Sequence, residues 1–307
     1  MSTSKQIEKL VAEFAARKPV RAGSLIISVF GDCICQHGNS VWLGSLITAL
    51  QPFGINARQI RTAVFRLVQE DWLMSKQTGR KSYYSFTESG HRHYEQAARR
   101  IYSVRAKPWN KKWTLLITAN VPAEQREQLR KELSWQGFGT ISSGLYVHPA
   151  ADQRAVDDTL QELGLADKVV VFEAGSTELT TESNIRYFSE QCWDLPTIGR
   201  RYDDFMQRFR PVADSLAADN RAPAPFQSFL LRTLLIHEYR RVLLHDTDLP
   251  DELLPADWPG KSAADLTATI YRAVQQNAVC YITREMQTTT GRPARPGRAY
   301  FRRFGGL

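Results

Sequence analysis

LGSLITALQPFGINARQIRTAVFRLVQEDWLMSKQTGRKSYYSFTESG, residues 43–90, reads as a helix, a tight turn, a basic amphipathic helix, a short basic hairpin and a capped helix start. A helix-turn-helix followed by a wing is the arrangement that lays one helix in the major groove of DNA. Val41-Trp42 leads into a helix over about 43–51, and Pro52-Phe53-Gly54 stops it. Asn56 is placed to cap the next helix, which runs to about Asp71. From Leu73 to Phe86 the period changes, and Met74, Lys76, Lys81, Tyr83 and Ser85 flank Thr78-Gly79-Arg80, as in a hairpin with a glycine-containing turn. Thr87-Glu88-Ser89-Gly90 then opens a helix reaching about Tyr102.

A helical wheel on 56–71 puts Ala57, Ile60, Ala63, Val64, Leu67 and Val68 on one face and Arg58, Gln59, Arg61, Thr62, Phe65, Arg66 and Gln69 on the other. Arginine bridges guanine acceptors, glutamine pairs with adenine, and threonine or phenylalanine touches a thymine methyl. Residues near the start of such a helix reach bases most easily, so Arg58, Gln59, Arg61 and Thr62 are the base-reading candidates. Arg66 lies further along and suits a phosphate. Phe65, exposed among arginines, calls for a partner, whether DNA or the wing above it. Lys76, Arg80 and Lys81 on the hairpin suit phosphate contacts, with Arg80 at the tip placed for the minor groove. The plain alternatives are a solvated amphipathic helix and a charge-blunted edge hairpin, and the adjacency of the two elements favours DNA.

The rest of the chain bounds this reading. With 307 residues it exceeds what one core organises, so two or three domains of roughly 100–150 residues are expected. At 43% hydrophobic and 23% charged residues it has the composition of a soluble globular protein. No window approaches the ~20 apolar residues of a membrane span, so no membrane partner and a cytoplasmic location are expected. Cys33, Cys35, Cys192 and Cys280 form no CxxC pair and read as reduced thiols, with no metal or cofactor implied. The net charge of +8 is unevenly placed: residues 1–110 hold 16 Lys and Arg against 7 Asp and Glu, and the other 197 hold 24 against 25. The excess positive charge therefore travels with the candidate DNA-binding segment.

Residues 1–22 read as a polar helix with a linker and 23–38 as a buried helix. A second linker follows at 106–109. The middle third alternates, with strands at 113–121, 144–149 and 168–174 and helices at 122–137 and 152–164. Two β-α-β units in this span point to a small ferredoxin-like domain. Helices are expected at 180–193, 198–218, 224–243 and 262–275, followed by a basic, irregular tail. The fold class is thus α+β: a winged helix-turn-helix domain over 1–106, a ferredoxin-like domain over 107–178 and a helical domain over 179–307.

At this point the chain resembles the PaaX-type repressors of phenylacetate catabolism, and the likeness spans almost the whole sequence. It is carried by SLIISVFGD (24–32), VWLGSLI (41–47), RTAVFRLVQEDWL (61–73), GRKSYYSFTESG (79–90), LSWQGFG (133–139), CWDL (192–195), LLIHEYRRVLLHDTDLPDELLPADWPG (234–260) and YFRRFGG (300–306). The resemblance implies a central domain similar to the Cas2 fold and a homodimer on double-stranded operator DNA. It further implies release by an acyl-CoA effector, an aryl-acetyl-CoA such as phenylacetyl-CoA. Such an effector needs cations for phosphates and an aromatic pocket for the aryl group. The C-terminal third offers Arg200, Arg201, Arg208, Arg210, His237, Tyr239, Arg240 and Arg241, with Trp193, Trp258 and Tyr271. The effector contacts expected from these are Trp193, Arg208, Arg210, His237, Tyr239, Arg240 and Arg241, with Leu234, Leu235 and Leu244 left to the core. The plain alternative is arginines paired with Glu238, Asp246 and Asp248, and Arg302 and Arg303 suit either the effector or a dimer interface.

An enzyme is not expected. His237-Glu238 would need a second histidine at 241 to make a zinc helix, and Arg241 stands there. The Cas2 likeness raises a nuclease as the alternative, but the first central strand ends Ile117-Thr118-Ala119-Asn120 without an acid for metal-dependent cleavage. A ligand-independent DNA-binding protein is the other alternative.

Overall fold

The computed structural model describes residues 2–17, 21–102, 109–175, 177, 180–219 and 221–307. The linker expected at 106–109 lies outside them except for Trp109. The chain divides into two compact units that do not follow sequence order. One joins Met1–Val104 with Tyr202–Val242 and Gly260–Leu307; the other joins Arg105–Arg201 with Leu243–Pro259.

The first unit opens with α1 (Thr3–Ala16) and α2 (Ala22–Val29). The expected single helix over 23–38 is instead α2 followed by a π-helical turn, Phe30–Ile34, and a 3₁₀ turn, Cys35–His37. β1 (Val41–Trp42) leads into α3 (Leu43–Leu50), a 3₁₀ turn through Pro52 follows, and Gly54 closes it at φ 77°. α4 (Ala57–Gln69) buries Ile60, Ala63, Val64 and Leu67. The hairpin of β2 (Leu73–Thr78) and β3 (Lys81–Phe86) pairs Thr78 with Lys81 across a two-residue turn, and β1 adds to β3 on the far side. Positive φ at Gly79 but not at Arg80 is the pattern of a hairpin turn with glycine first. α5 (Glu88–Tyr102) ends this run. Gly90 is required where α5 starts, because a Cβ there would stand 2.3 Å from the Trp72 carbonyl oxygen.

The second unit begins with β4 (Lys112–Ile117), α6 (Ala123–Trp135), β5 (Gly139–Ser142), β6 (Leu145–His148), α7 (Gln153–Glu162) and β7 (Val170–Gly175). Their antiparallel sheet has the order β5-β6-β4-β7, the βαββαβ connectivity of a ferredoxin-like unit. β5 is the strand that the sequence reading lacks, since Gly-Thr-Ile-Ser has too few apolar positions to show an alternation. Leu116, Leu129, Leu133, Tyr146, Val156 and Leu160 form the core between sheet and helices. α8 (Glu182–Cys192) follows, its Thr181 hydroxyl accepting from the Asn184 N–H as a cap.

α9 (Leu195–Asp219) runs from the second unit into the first. α10 (Pro225–Leu243) is the core helix of the first unit, and every residue from 228 to 240 is buried. A helix buried all round has no solvent face, which is why an amphipathic reading of it fails. Leu234 and Leu235 are in the core as expected, but Leu244 is 47% exposed just past the helix end. α11 (Gly260–Glu285) extends ten residues beyond its expected end at 275. The tail is not irregular throughout: a 3₁₀ turn, Tyr300–Gly305, packs Tyr300, Arg303 and Phe304 into the first unit.

Candidate nucleic-acid interface

α4 owes its start to a capping box. The Gln59 N–H donates to the Asn56 side-chain oxygen at 2.9 Å, and the Asn56 N–H donates to the Gln59 side-chain oxygen at 2.9 Å. Gln59, expected as an adenine reader, is thereby tied to the helix start, and its amide NH₂ is the group left to point outward. Arg58, Arg61, Thr62, Phe65 and Arg66 are all exposed on the side opposite the buried stripe, Phe65 at 64%. Among the described residues none of these three arginines meets a carboxylate. Three unpaired guanidiniums around an exposed phenyl ring present charge, donors and an apolar contact on one helix face.

The hairpin places its cations unevenly. Lys76 and Arg80 are exposed. Lys81 is held down: its ammonium donates to the Gln287 side chain at 2.7 Å and lies 4.5 Å from the Trp42 ring centre. Gln287 also accepts from the Trp42 N–H at 2.8 Å and donates to the Ser45 hydroxyl at 3.2 Å. The segment after α11 thus braces the turn end of strand β3 and the first turn of α3.

Of the expected effector residues, Arg208 and Arg241 meet on the Glu238 carboxylate, while His237, Tyr239 and Arg240 are buried in the packing of α10. Trp193 belongs to the sheet unit, where its indole N–H donates to the Gly137 carbonyl at 3.0 Å. His237 and Arg240 are buried on α10. The Ser28 hydroxyl meets His237 Nδ1 at 3.0 Å, and burial drives the imidazole down to about 3, so it is neutral. Burial also lowers Arg240, which donates to Ser24 and Ser28 oxygens at 3.4–3.5 Å and leaves its Nε without a partner among the described residues. Tyr239 is buried against Phe205, ring centres 5.5 Å apart. Glu238 receives Arg17 at 2.9 Å, Arg241 at 3.2 Å and also Arg208, an internal ion cluster of the kind the plain alternative describes. Arg210 and Arg241 are the exposed members of the set, and of these Arg210 has no ion pair among the described residues. Asp246 and Asp248 are not the acids of this cluster; they lie in the other unit.

The densest polar constellation was missed in the sequence. Asp32, in the π-helical turn, is fully buried, as is Arg232 of α10. Its carboxylate accepts Arg232 Nε at 2.7 Å, Arg303 at 2.8 Å, and the hydroxyls of Tyr102 at 2.7 Å and Tyr271 at 3.0 Å. Arg232 reaches on to the Tyr300 hydroxyl at 2.9 Å. Burial pushes the Asp32 carboxyl up, but the two guanidiniums outweigh it and hold the group at about 2. Burial keeps the surrounding tyrosines protonated. The available signal was Arg232 itself, a lone cation in the apolar run Phe-Leu-Leu-Arg-Thr-Leu-Leu-Ile. No set of three His, Cys, Asp or Glu side chains gathers to hold a metal among the described residues, and no helix among them is long and apolar enough to cross a membrane.

Comparison with known proteins covers nearly the whole chain. Residues 21–90 match the family described as PaaX-like protein, 106–185 the PaaX protein central Cas2-like domain, and 193–284 the PaaX-like protein C-terminal domain. The chain is 39% identical over 291 residues to the transcriptional repressor PaaX of Escherichia coli (strain K12), covering 94% of this chain and 92% of that one. A solved structure, the uncharacterized protein Rv0674 from Mycobacterium tuberculosis, aligns with a TM-score of 0.51 over 83% of this chain and 98% of its own. At 24% identity that is a likeness of fold.

Proposed function

Because the chain belongs to the PaaX family, we propose that it is a DNA-binding transcriptional repressor of an aromatic-acid catabolic operon, released from its operator by an aryl-acetyl-CoA such as phenylacetyl-CoA. The observation that carries the DNA-binding part is the exposed face of α4, where Arg58, Arg61 and Arg66 flank the exposed Phe65 and make no ion pair among the described residues. On this reading β1, α3, α4 and the β2–β3 hairpin form a winged helix-turn-helix. α4 lies in the major groove and Arg80 at the hairpin tip enters the neighbouring minor groove. Residues 1–106 then supply the DNA contacts, 107–178 the Cas2-like element and 179–307 the helices that respond to ligand.

A homodimer on a near-palindromic operator completes the proposal. Its support is the edge strand β7, which leaves Val170, Val171 and Phe172 exposed in a row. An unpaired edge with three apolar side chains favours a second copy as cover. The relative's printed role as a repressor and the acid-free end of β4 favour binding over catalysis.

The test is a gel shift with the DNA upstream of the chain's own gene, titrated separately with phenylacetate and phenylacetyl-CoA. Retardation abolished by the thioester and not by the free acid is the expected result. Retardation insensitive to both leaves a ligand-independent DNA-binding protein, and no retardation with metal-dependent cleavage of the probe leaves a nuclease. Footprints should show two half-sites about one helical turn apart or a multiple of it.

A further inference from the structure

The sheet unit holds a cavity of about 300 Å³. Its wall is assembled from segments far apart in sequence: Phe138 from LSWQGFG, Cys192 and Trp193 from CWDL, and His245 and Thr247 from the stretch after α10. Each belongs to a stretch that carries the family resemblance, and none takes part in the DNA-reading face. α9 adds Ile198 and Arg201 to the same wall, and α6 adds Arg130.

Part of this convergence is packing. Trp193 is buried, and a Cβ on Gly139 would stand 2.7 Å from its ring, so glycine and indole require each other. Burial lifts the Cys192 thiol to about 11, which makes it unreactive. Packing does not account for the polar side. Arg130 is engaged by Glu127 through bonds of 2.8 and 2.7 Å, whereas the exposed Arg201 has no carboxylate partner among the described residues. The Thr247 hydroxyl is shut away from solvent with no hydrogen-bond partner among the described residues, a state that something polar normally completes.

We propose that this cavity binds a small organic oxyanion, a carboxylate or phosphate held by Arg201 and the Thr247 hydroxyl, with an apolar or aryl body against Trp193 and Phe138. The proposal rests on the reading of the chain as a ligand-released repressor. It moves the ligand contacts away from the His237–Arg241 segment, where His237, Glu238 and Arg240 are buried in the other unit. Small-molecule sites span about 300–1,000 Å³. This one takes an aryl-acetyl group or a single phosphate-bearing arm, and a whole coenzyme A would extend beyond it.

Calorimetry on the full-length protein with phenylacetate, coenzyme A and phenylacetyl-CoA distinguishes the two sources of the anion. Binding of phenylacetate identifies the carboxylate; binding of coenzyme A and its thioester without phenylacetate identifies the phosphate. For the probe that binds, Arg201→Ala should weaken affinity about 10–100-fold, the scale of a lost charge-assisted hydrogen bond, with Arg201→Lys recovering part of it. Thr247→Val should weaken it about 3–10-fold. Ligand-free operator affinity should be the same in all three variants, a readout that a general folding defect would move. If the wild type binds a probe and leaves the operator while the variants bind it equally well, the site is overturned and the ligand-released reading stands. If the wild type binds none of the three, the ligand-released reading is overturned and the site falls with it.

Discussion

Asp32 is one carboxylate shared by two guanidiniums and two phenols, all inside the protein. Such clusters are stable only when complete, since removing one member leaves the others charged and unpaired. Asp32→Ala should therefore lower the unfolding free energy by about 3–5 kcal/mol, read from urea denaturation. A loss under 1 kcal/mol would show that water replaces the carboxylate. His237 gives a pH dependence with a definite sign. Its folded value of about 3 lies below the unfolded value near 6.5, so the unfolded chain takes up the proton first. Stability is full above about pH 6.5 and falls as the pH drops toward 3, by up to ~1.4 kcal/mol per pH unit. His37, held down to about 4 by burial, adds to the same fall. His237→Gln should flatten the pH dependence below 6.5, and equal slopes in variant and wild type would remove His237 from the account. On the DNA face, Arg61→Ala should cost about 1–3 kcal/mol on operator DNA. Equal losses on operator and random DNA would make it a phosphate contact. The roles of Arg232 and Arg303 were illegible in the sequence because a partner 200 positions away, Asp32, defines the first and one 271 away the second.

At the scale of elements, legibility followed periodicity and caps. α4 showed in the sequence because Asn56 marks its start and its apolar stripe repeats every three to four residues. The hairpin showed because Gly79 sits between two short alternating runs. α10 was found as a helix and misread in orientation, because a helix surrounded by core gives no polar face to orient it. The π-helical turn at Phe30–Ile34, in which Asp32 is buried, leaves no mark on composition. The hairpin supplies the prediction proper to this scale. Lys76 and Arg80 are exposed and Lys81 is already bonded to Gln287, so on the proposed reading the first two are the ones free to meet phosphates. Lys76→Ala and Arg80→Ala should each reduce the slope of log affinity against log salt by about one. A slope unchanged in both variants would remove the hairpin from the interface.

At the scale of the molecule, the first compact unit gathers residues from the beginning, middle and end of the chain. α10 supplies the core against which α1 and α2 pack: His237 meets Ser28 and the Phe14 ring, and Arg17 reaches Glu238. A fragment of residues 1–106 should consequently lack a cooperative urea transition and bind operator DNA far more weakly than the full chain. A fragment that melts cooperatively and keeps operator affinity would show that the winged segment carries its own core.

The bonds from Arg303 to Asp32 also set an order of events during synthesis. The two residues are separated by 271 positions, and at ~5–20 residues per second the ribosome needs roughly 15–55 s to travel from one to the other. Throughout that interval the π-helical turn holds an acid whose two cations have not both emerged, and the DNA-reading helix rests on an unfinished core. On the proposed reading, operator binding becomes available late, after residue 303 has cleared the exit tunnel, and a chain truncated upstream of it should not compete for the operator.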